Sequence, residues 1–137
     1  MKVQEIMTTN VECVGPETGV RELSSKMKTL DVGFLPICEN DKLIGTVTDR
    51  DIVIRGIAAG KDIGTCTARD VMTKDVFWCF EDQDVKEAAE QMRKKEVKRM
   101  LILSKDKRLT GVVSIGDISK VEEKESGKTL KNISEAA

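Results

Sequence analysis

The chain has 137 residues, which is long enough to bury about two thirds of the surface that its unfolded form exposes and so to build a hydrophobic core. Its 23 basic and 24 acidic side chains nearly balance, which argues against nucleic acid as a partner. Histidine is absent, and this removes the commonest general base and the commonest metal ligand. We therefore expect no metal site and no enzymatic activity.

Hydrophobic stretches are short along the whole chain. Runs such as Met100 to Leu103 fall far below the roughly 20 residues that a membrane-spanning helix needs. The first residues, Met1 to Glu5, lack the apolar region of a signal peptide. These features predict a cytoplasmic protein that does not contact membranes.

The sequence contains an internal duplication. Glu5-Ile6-Met7-Thr8 recurs as Asp70-Val71-Met72-Thr73, and the stretch Gly45 to Ile52 recurs as Gly111 to Ile118. Such a duplication governs the fold, because each copy forms the same supersecondary unit. The predicted organisation is a first repeat over residues 1–60, a linker over 61–68, a second repeat over 69–121 and a polar tail over 122–137.

The first repeat begins with an extended segment, Asn10 to Val14, and continues into a helix. Gly19 stands at the N-cap of that helix and is a weaker cap than Ser, Asp or Asn, so the helix should start less firmly than its counterpart. One face of the helix carries apolar residues at steps of three and four: Val20, Leu23, Met27 and Leu30.

Two strands follow, Phe34 to Cys38 and Leu43 to Thr48, joined by a charged turn. A second helix starts near Asp49, and Gly60 is expected to end it. The apolar side of this helix consists of Val53, Ile54, Ile57 and Ala58.

The second repeat follows the same pattern, with an extended segment from Val76 to Phe80. Asp84 as N-cap with Glu87 three residues later predicts a start that resembles a capping box. The apolar stripe of this helix is Val85, Ala88, Ala89 and Met92. Strands over Met100 to Leu103 and Leu109 to Ser114 lead into a final helix near Gly116.

Two further features belong to the second half of the chain. Trp78 and Phe80 are expected to pack in the core or in a dimer contact, with base stacking as the alternative. The tail from Glu122 to Ala137 is polar, with only Leu130 and Ile133 at helical spacing, and predicts a marginal or disordered helix.

The predicted fold is α/β, with each repeat running β-α-β-β-α. A single copy of about 55 residues has little apolar surface to bury. We therefore expect the two copies to pack through their sheets with pseudo-two-fold symmetry, which leaves clefts between them.

These residues resemble a tandem pair of CBS domains, the cystathionine β-synthase type of repeat that is often called a Bateman module. The resemblance covers Val3 to about Val121. The stretch Gly45 to Gly60 is also similar to small stand-alone prokaryotic members that are induced under hypoxia or stress. The motifs that carry the family resemblance are Ile6-Met7-Thr8 with Val71-Met72-Thr73, Leu35-Pro36-Ile37 with Leu101-Ile102-Leu103, and two Gly-x-x-Thr/Ser-x-x-Asp signatures.

The resemblance implies that the aspartates of the two signatures, Asp51 and Asp117, accept hydrogen bonds from the hydroxyls of a ribose, with Thr48 and Ser114 as their partners. The chemistry suits this role, because a carboxylate has two acceptor oxygens for a vicinal diol and a helix start supplies backbone N–H groups for an anion. The alternative is that these residues only cap helices, since Asp, Ser and Thr are favoured there.

The two copies differ before the middle strand. The second has Lys98 and Arg99 where the first has Gly33 and Phe34. The resemblance implies that basic residues at these positions reach a phosphate, each contributing about 1.5 to 3 kcal/mol. The alternative is that Lys98 and Arg99 continue a solvated basic run with Arg93, Lys94 and Lys95.

Two candidate sites follow from the resemblance. The nucleotide-binding site consists of Thr73, Val76, Lys98, Arg99, Met100, Ser114 and Asp117. A second possible nucleotide site consists of Thr8, Val11, Gly33, Phe34, Leu35, Thr48 and Asp51.

The four cysteines include no C-x-x-C pair, so zinc and thioredoxin-type spacings are excluded. Buried, reduced thiols are the expectation for a cytosolic protein. The alternative is a disulfide between Cys13 and Cys38, because the extended segment and the strand that carry them should lie close together in this fold.

The function predicted from the sequence is that of a regulatory sensor. It binds AMP, ADP or ATP in a cleft between the repeats as a regulatory ligand, needs no cofactor, forms a homodimer as the family usually does, and signals to a separate downstream protein. The alternative is a ligand-free dimeric interaction protein that responds to stress or redox state through Cys13 and Cys38. An enzyme would need a general base or metal site that the sequence does not offer.

Overall fold

The computed structural model describes residues 1–123. The predicted helix over Leu130 and Ile133 lies outside the described residues. Within residues 1–123, no helix is both long and apolar enough to cross a membrane.

The described residues form a mixed α/β structure with two sheets. A short 3-10 helix at Val3–Glu5 precedes the main elements. These are α1 (Val20–Leu30), β1 (Phe34–Glu39), β2 (Lys42–Thr48), α2 (Asp49–Asp51 with its π-helical continuation Ile52–Ile57), α3 (Ala68–Val71), β3 (Trp78–Phe80), α4 (Val85–Lys95), β4 (Arg99–Leu103), β5 (Leu109–Ser114) and α5, which begins at residue 115 and is described to residue 123.

The chain folds into two compact units. The first-repeat unit contains residues 10–77 and 107–109, and the second-repeat unit contains residues 1–9, 78–106 and the described residues from Thr110 onward. The opening residues of each predicted repeat, 1–9 and 69–77, therefore fold with the strands of the other repeat. The boundaries predicted from the sequence describe the duplication along the chain and stay a prediction.

In the first-repeat unit, β1 and β2 form an antiparallel hairpin in which Phe34 pairs with Thr48. The turn uses Asn40 and Asp41 at positive φ, a conformation that Asn and Asp tolerate better than most residues. The expected extended segment from Asn10 to Val14 is not a strand: only Val14 pairs, in an isolated parallel bridge to Ile37.

The second-repeat unit contains a three-stranded sheet in the order β3-β4-β5. β3 runs parallel to β4, with Trp78 opposite Leu101. The predicted extended segment from Val76 to Phe80 forms a strand only over its last three residues, Trp78–Phe80. Trp78, however, is half-exposed and not a core residue; its ring packs edge-on against Phe80 at 5.0 Å between centroids.

Each unit has its own core, and the periodicity of the helices predicts which residues enter it. Val20, Leu23 and Met27 of α1 are buried with Ile37 and Val47 of the hairpin. Leu30, at the C-terminal end of the stripe, is exposed. In α4 the whole predicted stripe is buried: Val85, Ala88, Ala89 and Met92.

The starts of α1 and α4 differ as their N-cap residues predict. Gly19 offers no side-chain cap, whereas the Asp84 carboxylate accepts a hydrogen bond from the backbone N–H of Lys86 at 2.9 Å. The capping-box prediction is wrong for Glu87, because its carboxylate accepts from the side-chain amide of Gln83 instead. Gly60 has φ +77° and follows the end of α2, as predicted.

Candidate functional site

The turn from β2 into α2 fixes the position of the Asp51 carboxylate. The Thr48 N–H donates to Asp51 Oδ2 at 2.9 Å, and the Asp51 N–H donates to Thr48 Oγ1 at 3.0 Å. This reciprocal pair is a capping box. Because the cap occupies Oδ2, the orientation of the carboxylate is set while Oδ1 stays outside the cap.

Two side chains, those of Thr73 and Arg55, approach the remaining face of Asp51. The Thr73 hydroxyl lies 3.4 Å from Oδ1 and 3.5 Å from Oδ2. Arg55, one helical turn later, places Nε 3.9 Å from Oδ1 and donates through a guanidinium N–H to the Met72 carbonyl at 3.0 Å. Asp51 is 14% exposed, so this carboxylate is a largely buried charge with polar partners.

A backbone crossing brings Thr73 to this position. Thr46 and Thr73 exchange both backbone hydrogen bonds, at 3.0 and 2.8 Å. A Cβ on Gly45 would stand 2.7 Å from the Thr73 carbonyl oxygen, closer than side chains tolerate. The glycine of the signature is therefore required by the close approach of the Met72-Thr73 segment.

The second repeat builds the same arrangement. The Ser114 N–H donates to Asp117 Oδ2 at 2.9 Å, and the Asp117 N–H donates to Ser114 Oγ at 3.1 Å. Thr8 and Val112 exchange backbone hydrogen bonds at 2.9 and 3.0 Å. A Cβ on Gly111 would stand 2.8 Å from the Thr8 carbonyl oxygen.

We name these two arrangements after their aspartates. The Asp51 site consists of Thr48, Asp51 and Thr73, and it lies within the first-repeat unit. The Asp117 site consists of Ser114, Asp117 and the backbone of Thr8, and it lies within the second-repeat unit.

The grouping of the two Met-Thr segments predicted from the sequence needs correction. Thr73, which we grouped with Ser114 and Asp117, contacts Asp51. Thr8, which we grouped with Asp51, pairs with the strand that leads to Ser114. The physical reason is that each segment pairs with the last strand of the other copy. Val11 and Val76 are both partly buried and both belong to the first-repeat unit.

The residues before the middle strands lie beside the helix starts. The Gly33 carbonyl accepts the Asp49 N–H at 3.0 Å, and the Lys98 carbonyl accepts the Ile115 N–H at 2.9 Å. Lys98 and Arg99 are exposed, and Phe34 is partly buried. Leu35 and Met100 are buried in the cores of their units, so their side chains serve packing.

Two residues near the Asp51 site were not identified from the sequence. Arg55 lies four positions after Asp51 on the same helix, and that spacing is a known signal for a carboxylate–guanidinium pair. Asp49 has Oδ2 only 3.3 Å from where a Cβ on Gly33 would stand. No local pattern reports this proximity, because it depends on the pairing of two strands.

The cysteines fall into two classes. Cys13 and Cys38 form a disulfide with 5.8 Å between their Cα atoms, so the expectation of four buried free thiols is wrong for this pair. Cys66 and Cys79 are buried and free, as expected. Burial raises the pKa of the Cys79 thiol to about 11. Burial, and secondarily the Asp70 carboxylate, also raises the pKa of the Cys66 thiol.

Across the described range, residues 1–123, no group of three or more Cys, Asp or Glu side chains is placed to hold a metal ion. The polar groups that converge are instead the capped aspartates and their hydroxyl neighbours. Such groups can hydrogen-bond a ligand that carries hydroxyls.

Comparison with known proteins identifies the class. The CBS domain matches residues 3–56 and again residues 68–124. This chain belongs to the CBS domain family, and it carries the domain in a tandem pair. The two crossings at Gly45 and Gly111 thus belong to the two copies of the domain.

Relatives support the family assignment. The chain is 36% identical over 118 residues to hypoxic response protein 1 of Mycobacterium tuberculosis, an alignment that covers 85% of this chain and 82% of the relative. A crystal structure of hypoxic response protein I with two coordinated zinc ions matches with a TM-score of 0.78 and 35% identity, over 88% of this chain and 98% of that one.

More distant solved structures share the fold. CBSX2 from Arabidopsis thaliana, solved in complex with AMP, has a TM-score of 0.78 at 20% identity and covers 90% of this chain and 97% of its own. The CBS domain pair of protein MJ0100, solved with 5′-methylthioadenosine and S-adenosyl-L-methionine, has a TM-score of 0.78 at 23% identity and covers 91% and 98%.

Proposed function

We propose that this protein is a non-catalytic regulatory module that binds an adenosine-type nucleotide, AMP, ADP or ATP, and signals to a separate protein. The observation that carries the proposal is the duplicated capped aspartate. In both copies one carboxylate oxygen is held by the backbone of the helix start, so the side chain is oriented before any ligand arrives. Preorganised acceptors lower the ordering cost of binding.

The Asp117 site is the better candidate for a phosphorylated ligand. Asp117 supplies an acceptor for ribose hydroxyls. Two exposed basic residues lie at the start of the neighbouring strand: Lys98 precedes β4, and Arg99 is its first residue. A phosphate that meets such a cation gains a charge-assisted hydrogen bond of about 1.5 to 3 kcal/mol. An energy of this size lowers the Kd by about 10- to 150-fold.

The distant relatives are consistent with this ligand class. One of them was solved with AMP, and another with 5′-methylthioadenosine and S-adenosyl-L-methionine. All three compounds contain adenosine, so their common element is the ribose and the adenine base. A ribose-reading carboxylate is the group that the present chain repeats.

The test is a titration of the purified protein with AMP, ADP and ATP. Binding is measured by isothermal titration calorimetry and by the shift in thermal unfolding. Ligand at 100 times its Kd should raise the free energy of unfolding by about 2.7 kcal/mol. Asp117→Ala and Lys98→Met should weaken AMP binding at least tenfold. Lys105→Met, an exposed lysine of the same unit, is the matched control and should bind as the wild type does. Absence of any heat or stabilisation at millimolar nucleotide would refute the proposal.

A second candidate function is that of a ligand-free homodimeric interaction protein whose state depends on redox conditions. Two observations favour it. Val53, Ile54 and Ile57 of α2 are apolar yet each at least half exposed, and Cys13 and Cys38 are paired. Exposed apolar side chains grouped on one helix are typical of an interaction surface.

Sedimentation velocity tests the second candidate. Under the second, the wild type should sediment as a dimer without nucleotide, Ile54→Asp should sediment as a monomer, and reductant should shift the equilibrium. Arg50→Asp, on the same helix, is the control for added negative charge. A monomeric wild type would rule out the dimer, whereas nucleotide binding measured in the same sample decides the first candidate independently.

A further inference from the structure

The two cysteines of the disulfide differ in exposure. Cys13 belongs to the segment before α1 and is exposed, whereas Cys38 lies in β1 and is partly buried. Thiol–disulfide exchange starts when a thiolate attacks one sulfur of the bond, and access to each sulfur helps to decide which one is attacked. An incoming thiol therefore reaches Cys13 more readily than Cys38.

The other two cysteines do not compete for this reaction. Cys66 is 3% exposed and Cys79 is 2% exposed. Burial raises the pKa of both thiols, that of Cys79 to about 11. The thiolate is the reactive form, and both groups are shielded as well, so exchange is confined to the disulfide-bonded pair.

Backbone contacts keep Cys13 opposite Cys38 independently of the covalent bond. Val14, the residue after Cys13, donates its N–H to the Pro36 carbonyl at 3.0 Å and accepts the Cys38 N–H at 2.9 Å. The Val14 side chain is buried in the core of the first-repeat unit. These contacts do not involve either sulfur, so they remain when the disulfide opens.

The residue before Cys13 is anchored as well. The carboxylate of Glu12 accepts a hydrogen bond from the Lys26 amine of α1 at 2.6 Å. Because both partners are partly exposed, this pair is a weak restraint, and the Val14 contacts are the main one. With both neighbours of Cys13 held, the two sulfurs stay close after the bond opens, and the reaction that closes it again is intramolecular.

We propose that Cys13 is a reversible thiolation site, at which a low-molecular-weight thiol forms a mixed disulfide, and that Cys38 is the resolving thiol. In the forward step the incoming thiolate bonds to the Cys13 sulfur, the bond between the two cysteines breaks, and its electron pair leaves on Cys38 as a thiolate. In the resolving step the Cys38 thiolate attacks the Cys13 sulfur, restores the protein disulfide and releases the small thiolate.

Full reduction needs a second small thiolate. This thiolate attacks the sulfur of the small thiol in the adduct, departs as the symmetric disulfide and leaves Cys13 as a thiolate. Two small thiols thereby give up two electrons and two protons, and the two protein thiols receive them. The same steps run in reverse when reduced protein meets the symmetric disulfide.

The inference deepens the second candidate function and rests on it in one respect, because it names the chemistry by which redox conditions would act. It does not depend on nucleotide binding. The site takes aliphatic monothiols, and glutathione is the probe.

The first experiment uses oxidised wild-type protein and needs no substitution. The protein is treated briefly with reduced glutathione, quenched with acid, alkylated with N-ethylmaleimide in acidic denaturant and mapped by peptide mass spectrometry. Glutathione should be found on Cys13, with maleimide on Cys38, about five times more often than the reverse. An equal distribution, or a disulfide that millimolar glutathione leaves intact, would overturn the inference. Cys66 and Cys79 should carry no glutathione.

Single-cysteine variants test the role of Cys38. Reduced protein is mixed with oxidised glutathione, and its mass is followed over time. Cys38→Ser should acquire one glutathione on Cys13 and keep it, whereas the wild type should lose the adduct and end with the intramolecular disulfide. Cys13→Ser should acquire glutathione about fivefold more slowly than Cys38→Ser.

Cys66→Ala is the matched control, because it removes a cysteine that is buried and free, and it should follow the wild-type time course. A wild-type adduct that persists as long as the adduct on Cys38→Ser would overturn the resolving role. Should a single variant fail to fold, the peptide map of the wild type still decides which cysteine is attacked.

The outcomes also separate this inference from the second candidate function. Sedimentation that does not respond to reductant, together with glutathione on Cys13, supports the inference and refutes the redox dependence of the second candidate. Sedimentation that responds to reductant while Cys13 acquires no glutathione does the reverse.

Discussion

The first-repeat and second-repeat units contain the same signature, but they differ in what surrounds it. Both have a glycine under a backbone crossing, and both have an aspartate in a reciprocal cap. The first-repeat unit adds a disulfide, Arg55 against Asp51, and Asp49 beside Gly33. The shared residues are those that the backbone geometry requires. Among the differing residues, Arg55 lies beside the aspartate and adds a positive charge there.

The largest expected effect on stability comes from removing the disulfide, which only the first-repeat unit has among the described residues. Replacing Cys13 and Cys38 with serine should lower the free energy of unfolding by about 3 kcal/mol, because the bond closes a loop between residues 25 positions apart. Urea unfolding of the oxidised proteins measures the loss. Wild type in excess reductant should match the double variant, and identical oxidised and reduced curves for wild type would contradict the prediction.

The glycines under the crossings test whether the two units share the same constraint. Gly45→Ala and Gly111→Ala should each lower the free energy of unfolding by about 2 kcal/mol. The reason is that the added Cβ meets a carbonyl oxygen of the crossing segment, so the backbone must move. Gly15→Ala is the control, since its nearest neighbour is an ordinary 3.9 Å away. A marked difference between Gly45→Ala and Gly111→Ala in thermal unfolding would show that one crossing is looser.

The two aspartate caps should differ by a smaller amount in what they contribute to the free energy of unfolding. Asp117→Ala removes a helix cap and should cost about 1 kcal/mol. Asp51→Ala should cost about 1 kcal/mol more, because the Thr73 hydroxyl and the Arg55 guanidinium also lose a partner.

Arg55→Val, which places the residue of the second repeat at this position, sharpens the comparison of the caps. In that background the excess cost of Asp51→Ala over Asp117→Ala should become smaller, because only the Thr73 hydroxyl then loses an additional partner. Equal costs of Asp51→Ala and Asp117→Ala in the unmodified protein, measured by urea unfolding, would mean that Arg55 and Thr73 add no stability.

The smallest effect concerns the buried thiol of the second-repeat unit. The pKa of Cys79 is raised to about 11 by burial, so the folded protein keeps the proton while the unfolded chain loses it above pH 9. The unfolded state then binds fewer protons, and the free energy of unfolding falls as pH rises from 9 toward 11. By pH 10 the loss from this thiol should be about 1 kcal/mol.

Unfolding curves of wild type and Cys79→Ala at pH 8, 9 and 10 check the pH dependence. The wild type should lose stability more steeply than the variant over this range. Parallel pH profiles would show that the thiol ionises as readily in the folded state as in the unfolded one.

Local patterns were sufficient for the regular elements. The three- and four-residue spacing identifies α1 and α4 and most of their buried faces, and Asp84 identifies the start of α4. The signatures also place Thr48 and Asp51 at a helix start, because capping depends on residues three positions apart. The Glu87 prediction failed because a neighbouring Gln83 competes for the same carboxylate.

The sequence by itself determined the duplication, the α/β class, the capped aspartates and the family, since these follow from spacing within short stretches. Only the tertiary structure decided that Thr73 meets Asp51, that Thr8 pairs with Val112, that Cys13 bonds Cys38 and that Asp49 stands beside Gly33. Each of these contacts joins residues more than a dozen positions apart. Strand pairing brings such residues together, and no local periodicity records which segment becomes the neighbour of which strand.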